Sequence, residues 1–204
     1  MTPPGAIIDI SPQLASRLSR LSVAQYDRLI AADAILDAEK VELIEGLLVA
    51  KTGRNRPRIQ AGKLGFAALL RIVPDGWRVA KEDPITASDW SKPEPDLAVI
   101  RGEIGDYARR DLTTLDVGLV VEIAESSLAV DRDVMGRLYA AGGIPCYWIV
   151  NLVDGLVEVY TDADPSAGYC SRREYLRDET IPIVLDGREA GVVAVEAILP
   201  GPAA

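Results

Sequence analysis

Glu122 interrupts the run Val117-Gly118-Leu119-Val120-Val121-Glu122-Ile123-Ala124, which otherwise reads as a strand buried on both faces. An unpaired carboxylate taken into a low-dielectric interior costs several kcal/mol even after relaxation, so such a group is neutralised, paired with a cation or bound to a metal. A second apolar run, Pro95-Asp96-Leu97-Ala98-Val99-Ile100, also opens with an acid. If the two runs are neighbouring strands, Asp96 and Glu122 form a small cage of oxygens for a hard divalent cation. Taken alone, Asp96 is also an ordinary turn acid after a proline, and Glu122 one half of a buried ion pair with an arginine.

Composition removes most other chemistry. The chain contains no histidine. Serine-histidine-aspartate and cysteine-histidine catalysis and histidine zinc sites therefore cannot operate, and carboxylate, metal, lysine and arginine chemistry remain. The formal charge of −9 and pI near 4.6 argue against coating nucleic acid by bulk electrostatics, so binding to DNA must be local. The local clusters are Arg54, Arg56 and Arg58; Arg109 and Arg110; Arg132 and Arg137; and Arg172 and Arg173. Cys146 and Cys170 form no CxxC pair, which points to a reducing cytoplasm. Neither a signal peptide nor an apolar run of membrane-spanning length is legible, so no membrane association is expected.

The elements that must hold these acids follow from periodicity. Residues 1–21 read as a loosely docked arm, 22–198 as one domain and 199–204 as a short tail. Ser22-Val23-Ala24-Gln25 has the form of a capping box opening a short helix. Val41 to Lys51 reads as a strand pair turning at Glu45-Gly46, with Glu42 on the parity opposite Val41 and Leu43; alternation alone would allow Glu42 a solvated face. A helix beginning near Pro57 runs until Pro74-Asp75-Gly76 breaks it. Strands Trp77 to Lys81 and Pro95 to Arg101 precede the strand carrying Glu122. A helix from Val130 to Ala141 ends at Gly142-Gly143, and strands Cys146 to Asn151 and Leu156 to Thr161 follow. Residues 170–198 read as polar, hairpin-like edge strands. Strand, helix, strand around Glu122 requires a crossover, hence a mixed α/β (α+β) fold with helices over a central sheet.

Four blocks in this order carry a resemblance: Val41-Glu42-Leu43-Ile44-Glu45-Gly46; Pro95-Asp96-Leu97-Ala98-Val99; Val120-Val121-Glu122-Ile123-Ala124-Glu125-Ser126-Ser127; and Leu138-Tyr139-Ala140-Ala141-Gly142-Gly143-Ile144-Pro145-Cys146-Tyr147-Trp148-Ile149-Val150. Together they resemble the Uma-type restriction endonuclease family of bacteria, within the PD-(D/E)XK nuclease superfamily, over roughly residues 22–185. The resemblance implies a mixed central sheet flanked by helices with a restriction-endonuclease-like core. It also implies Mg²⁺ or Mn²⁺ held by Asp96, Glu122 and the backbone carbonyl of Ile123, with Glu42 as a further ligand or water-orienting group. The lysine such a site uses falls, in this family, four residues before the tyrosine of the last block, where this chain has Met135; the other position the superfamily uses is Ala124. Arg58 or Lys81 would have to supply charge from elsewhere. As a residue, Met135 reads as core packing on a stripe with Asp131 and Tyr139.

The expected function is therefore phosphodiester hydrolysis by a magnesium-dependent DNA endonuclease, impaired where Met135 replaces lysine. The alternative is a catalytically inactive nuclease fold that binds nucleic acid or a protein. DNA is the expected partner, and a homodimer would supply the two sites that a double-strand cut needs.

Overall fold

A computed structural model describes residue 13 and residues 17–35, 41–51, 53 and 55–201. Most of the expected arm, Arg54 and the last three residues of the tail lie outside the described residues.

Helix α1 (Val23–Ala31) opens with the expected capping box, Ser22 Oγ accepting from Gln25 N–H while Gln25 Oε1 accepts from Ser22 N–H. Strands β1 (Val41–Ile44) and β2 (Leu47–Ala50) form an antiparallel hairpin whose two turn residues, Glu45 and Gly46, both have positive φ. Gly46 is required twice over, since a Cβ there would lie 2.5 Å from Arg20 Cβ. Helix α2 (Arg56–Leu70) begins with Asn55 Oδ1 accepting from Arg58 N–H and with proline in its first turn.

The central sheet has six strands in the order β3-β4-β5-β6-β7-β8: β3 (Trp77–Ala80), β4 (Leu97–Arg101), β5 (Val117–Ala124), β6 (Cys146–Asn151), β7 (Leu156–Asp164) and β8 (Gly168–Tyr175). Only β5 and β6 pair in parallel, which makes the sheet mixed as expected. Their crossover is helix α3, built of Leu128–Val130, a π-helical turn Asp131–Met135, and Gly136–Ala141. Gly143, at positive φ, follows its end.

Strand alternation splits the core into two layers. Leu97, Val99, Leu119, Val121, Ile123, Trp148 and Val150 face α2 and the hairpin of β9 (Thr180–Leu185) and β10 (Arg188–Ala194). Ala98, Ile100, Val120, Ala124, Tyr147 and Ile149 face α3, packing with Met135 and Tyr139. Gly62 and Gly65 let α2 approach the first layer closely: a Cβ on Gly65 would meet Leu97 Cδ1 at 3.0 Å.

Two boundaries differ from expectation. The last hairpin is not a polar edge, because Ile181, Ile183, Leu185 and Val193 are buried against the sheet; alternation hid this by placing exposed residues between them. The helix expected from Val130 starts at Leu128 and contains the π-turn. Trp148 and Tyr147 are core residues.

Candidate functional site

Strands β4 and β5 pair with Leu97 opposite Val121, which sets Asp96, just before β4, beside Glu122. The Asp96 N–H donates to Glu122 Oε2 at 3.4 Å, and the Ile123 N–H donates to Asp96 Oδ2 at 2.8 Å. By parity Glu122 projects from β5 toward α3, where the Tyr139 hydroxyl donates to its Oε1 at 2.7 Å. No arginine or lysine pairs with Glu122 among the described residues, so the ion-pair alternative does not describe it.

Glu42 enters from the hairpin. Its Oε2 accepts from the Glu94 backbone N–H at 3.0 Å, so its parity points inward rather than to solvent. The hairpin itself is fastened to the long loop before β4 by Lys92 N–H donating to the Leu43 carbonyl and Gly46 N–H donating to that of Trp90. Between this hairpin and α3 lies a cavity of about 470 Å³. Glu42, Glu94, Asp96, Glu122 and Asp131 line it, with Met135, Val134, Val130, Val49 and Leu47 forming apolar walls. The four side chains singled out from the sequence, Glu42, Asp96, Glu122 and Met135, thus share one cavity.

Its electrostatics are those of an under-neutralised acid cluster. Burial, then Asp96, Asp131 and Glu42, push the Glu122 carboxyl well above the ordinary range, against a lowering contribution from Tyr139. Burial pushes Asp131 up to about 6; the Ser127 hydroxyl, donating at 2.6 Å, and nearby Arg58 oppose it. Burial also raises Glu42, opposed by the Glu94 N–H and by Lys51. The Arg58 guanidinium pairs with Asp96 Oδ2 at 3.0 Å. Thus Arg58, from the first turn of α2, supplies charge at Asp96. Lys81 does not line this cavity; it pairs with Glu82 at 3.8 Å and lines a second cavity of about 160 Å³ on the other side of Asp96, together with Ile123.

Sequence reasoning missed Asp131, Glu94 and Lys51 as members of the cavity. Asp131 was visible on the stripe with Met135 and Tyr139, and Lys51 was visible by parity: Val49 pairs with Glu42, so a residue two further on shares that hairpin face. Glu94, between two prolines in a loop, left no periodic signal.

Among the described residues no three acidic or cysteine side chains converge closely enough to hold a metal ion as they stand. The donor set nonetheless fits a hard cation. It is all oxygen, and Asp96 and Glu122 supply the one or two carboxylates that magnesium takes from a protein. Burial first, and then the neighbouring carboxylates, raise Glu122, so a cation held among these oxygens would be favourably placed.

The fold is shared with a known structure. The chain is similar to a "putative nuclease belonging to DUF820" from Anabaena variabilis, with a TM-score of 0.66 at 16% identity, over 87% of this chain and 97% of that one. That likeness gives the restriction-endonuclease-like fold. No curated protein matches the chain. The family model described as "Putative restriction endonuclease", Uma2, matches residues 23–193, which takes in the hairpin, the sheet, α3 and every acid of the cavity. The chain belongs to the Uma2 restriction endonuclease family.

Proposed function

We propose that this protein is a metal-dependent DNA endonuclease that hydrolyses a phosphodiester in the cavity between the β1–β2 hairpin and α3. The observation that carries the reading is the pair Asp96 and Glu122, side by side at the cavity, Glu122 buried and without a cationic partner among the described residues. Asp96 and Glu122 would hold Mg²⁺ or Mn²⁺, with the Ile123 carbonyl completing the protein's share. The chemistry such an ion supplies when bound is neutralisation of charge at phosphorus and a more acidic water.

The chain's own residues do the rest. Tyr139 fixes the orientation of Glu122 by its hydroxyl, and the Ile123 N–H fixes that of Asp96. Glu42, held by the Glu94 N–H, faces the same cavity as the water-orienting group. The apolar side chains of Val49, Val134 and Met135 in the lining lower the local dielectric and so strengthen the electrostatic contacts beside them. In the net reaction water adds to phosphorus, one phosphorus–oxygen bond breaks, and the water's proton ends on the departing hydroxyl. Two copies of the chain would supply the two sites of a double-strand cut.

Met135 favours a second reading, a non-catalytic relative that keeps the fold and binds nucleic acid or a protein. A buried thioether on the cavity wall neither stabilises developing negative charge nor orients hydroxide. Incubating the purified protein with supercoiled plasmid and Mg²⁺ or Mn²⁺ separates the two. Nicking that Asp96→Ala abolishes supports the nuclease; equal nicking by that variant assigns the cleavage to a contaminant and sinks the proposal.

A further inference from the structure

The cavity over Glu122 must admit an anion if the nuclease reading holds, and its lining opposes one. Its acidic side chains greatly outnumber the two cations, Lys51 and Arg58, that share the lining. A phosphodiester brought there meets mutual repulsion at short range, in surroundings partly apolar and so of reduced dielectric. Beside the metal, a cation of the chain facing the phosphate would offset this repulsion.

Arg58 is the less available of the two. Its side chain is 12% exposed and its guanidinium is bound to Asp96 at 3.0 Å. Moving it would strip Asp96, a metal ligand in the nuclease reading, of its arginine partner. Lys51 is placed differently. It leaves the end of β2 on the same hairpin face as Glu42, and its ammonium pairs with Glu94, with the two side chains 24% and 20% exposed. Exchanging the Glu94 carboxylate for a phosphodiester oxygen keeps a charge-assisted hydrogen bond on the ammonium, so the change of partner leaves no charge unpaired on Lys51. The flexible four-carbon stem of a lysine carries three donors, enough to meet a phosphate without a large backbone change.

We infer that Lys51 is the residue of this cavity that contacts the scissile strand's phosphate, exchanging the Glu94 carboxylate for a phosphodiester oxygen. The inference rests on the nuclease reading for its ligand, a nucleic-acid strand. It assigns to the hairpin a charge that α3, with Met135 on the cavity wall, does not provide.

The test is fluorescence anisotropy with a short labelled DNA oligonucleotide, in Ca²⁺ so that binding is read without turnover, and with the same oligonucleotide carrying one uncharged methylphosphonate at successive positions. Lys51→Met should weaken binding of the normal strand by about tenfold or more, and Lys51→Arg should keep most of it. One methylphosphonate position should weaken the wild type and leave Lys51→Met unchanged. The double variant Lys51→Met/Glu94→Gln should stay weak; recovery of wild-type affinity would mean that Lys51 only neutralises Glu94, and would overturn the inference. Wild-type binding matched by Lys51→Met also overturns it, while leaving the nuclease reading intact. Failure of the wild type either to bind or to nick DNA would remove both together.

Discussion

Glu122, Ile149 and Glu158 lie opposite one another along a single row across β5, β6 and β7, so two buried carboxylates project from the same sheet face about 10 Å apart. Among the described residues Glu122 has no cationic partner, whereas Glu158, 0% exposed, has two: Arg132 and Arg172, the latter at 3.0 Å, with Tyr160 Oη donating at 2.7 Å and Asn151 Nδ2 at 2.9 Å. Burial alone would raise Glu158, but Arg132, Tyr160, Asn151 and Arg172 outweigh it and hold the carboxyl at about 2. A carboxyl that titrates near 4.5 in the unfolded chain and near 2 in the folded one contributes roughly 3 kcal/mol at neutral pH. Because both guanidiniums are over a third exposed, solvent screening trims this to about 2 kcal/mol. The folded form is the one depressed, so the contribution is complete above pH 4.5 and is lost as pH falls from there toward 2. Urea unfolding followed through buried Trp148, run from pH 7 to pH 3, should show Glu158→Gln less stable by about 2 kcal/mol at pH 7, with the gap closing as acid is added. Parallel profiles for the two proteins would refute the claim that paired arginines set the charge state of Glu158, and with it the electrostatic contrast between Glu158 and Glu122.

Mg²⁺ at about a hundred times its dissociation constant should stabilise the wild type by roughly 2.7 kcal/mol, and Asp96→Asn should lose most of that gain in a thermal melt. Met135→Lys places an ammonium beside Asp131 and Glu122, and should raise plasmid nicking by tenfold or more; unchanged nicking would mean that the cavity has no use for charge at that position. At Gly118 a Cβ would stand 2.5 Å from Leu185 Cδ2 and 2.8 Å from Trp77 Cζ3, so Gly118→Ala should cost about 1–3 kcal/mol in urea unfolding without altering metal binding.

The mixed sheet and its crossover were legible because β5 is a continuous apolar run and α3 carries a helical stripe, two periods that cannot be confused. Asp96 and Glu122 were legible for the converse reason, as charges breaking those patterns. Glu42 was ambiguous: a four-residue strand alternates equally well about either face, and only the Glu94 N–H decides it. The last hairpin misled because Ile181, Ile183 and Leu185 alternate with exposed residues, and alternation by itself does not say whether a partner layer covers the apolar side. Lys51 was overlooked because it lies one residue past the end of β2, although hairpin parity reaches it; Arg58, in the first turn of α2, was named as a source of charge, but helical periodicity alone does not say that it meets Asp96.

The π-turn Asp131–Met135 shows why one line of the site was legible for a partly mistaken reason. In a regular α-helix residues four apart drift by about 40°, so Asp131, Met135 and Tyr139 would fan through about 80° and could not all face one cavity squarely. A π-turn closes i→i+5 bonds and winds less per residue, which counters that drift. All three side chains are accordingly buried: Tyr139 bonded to Glu122, Asp131 bonded to Ser127, and Met135 between them on the cavity wall. The same turn leaves Arg132 free to reach Glu158 on the neighbouring row position. One inserted residue's worth of helix therefore separates two kinds of buried acid, aiming an arginine at Glu158 and an apolar side chain toward Glu122. A point substitution that restored regular α-helical winding would rotate Asp131 and Met135 apart and send Arg132 off Glu158, coupling the stability of the sheet to the shape of the cavity.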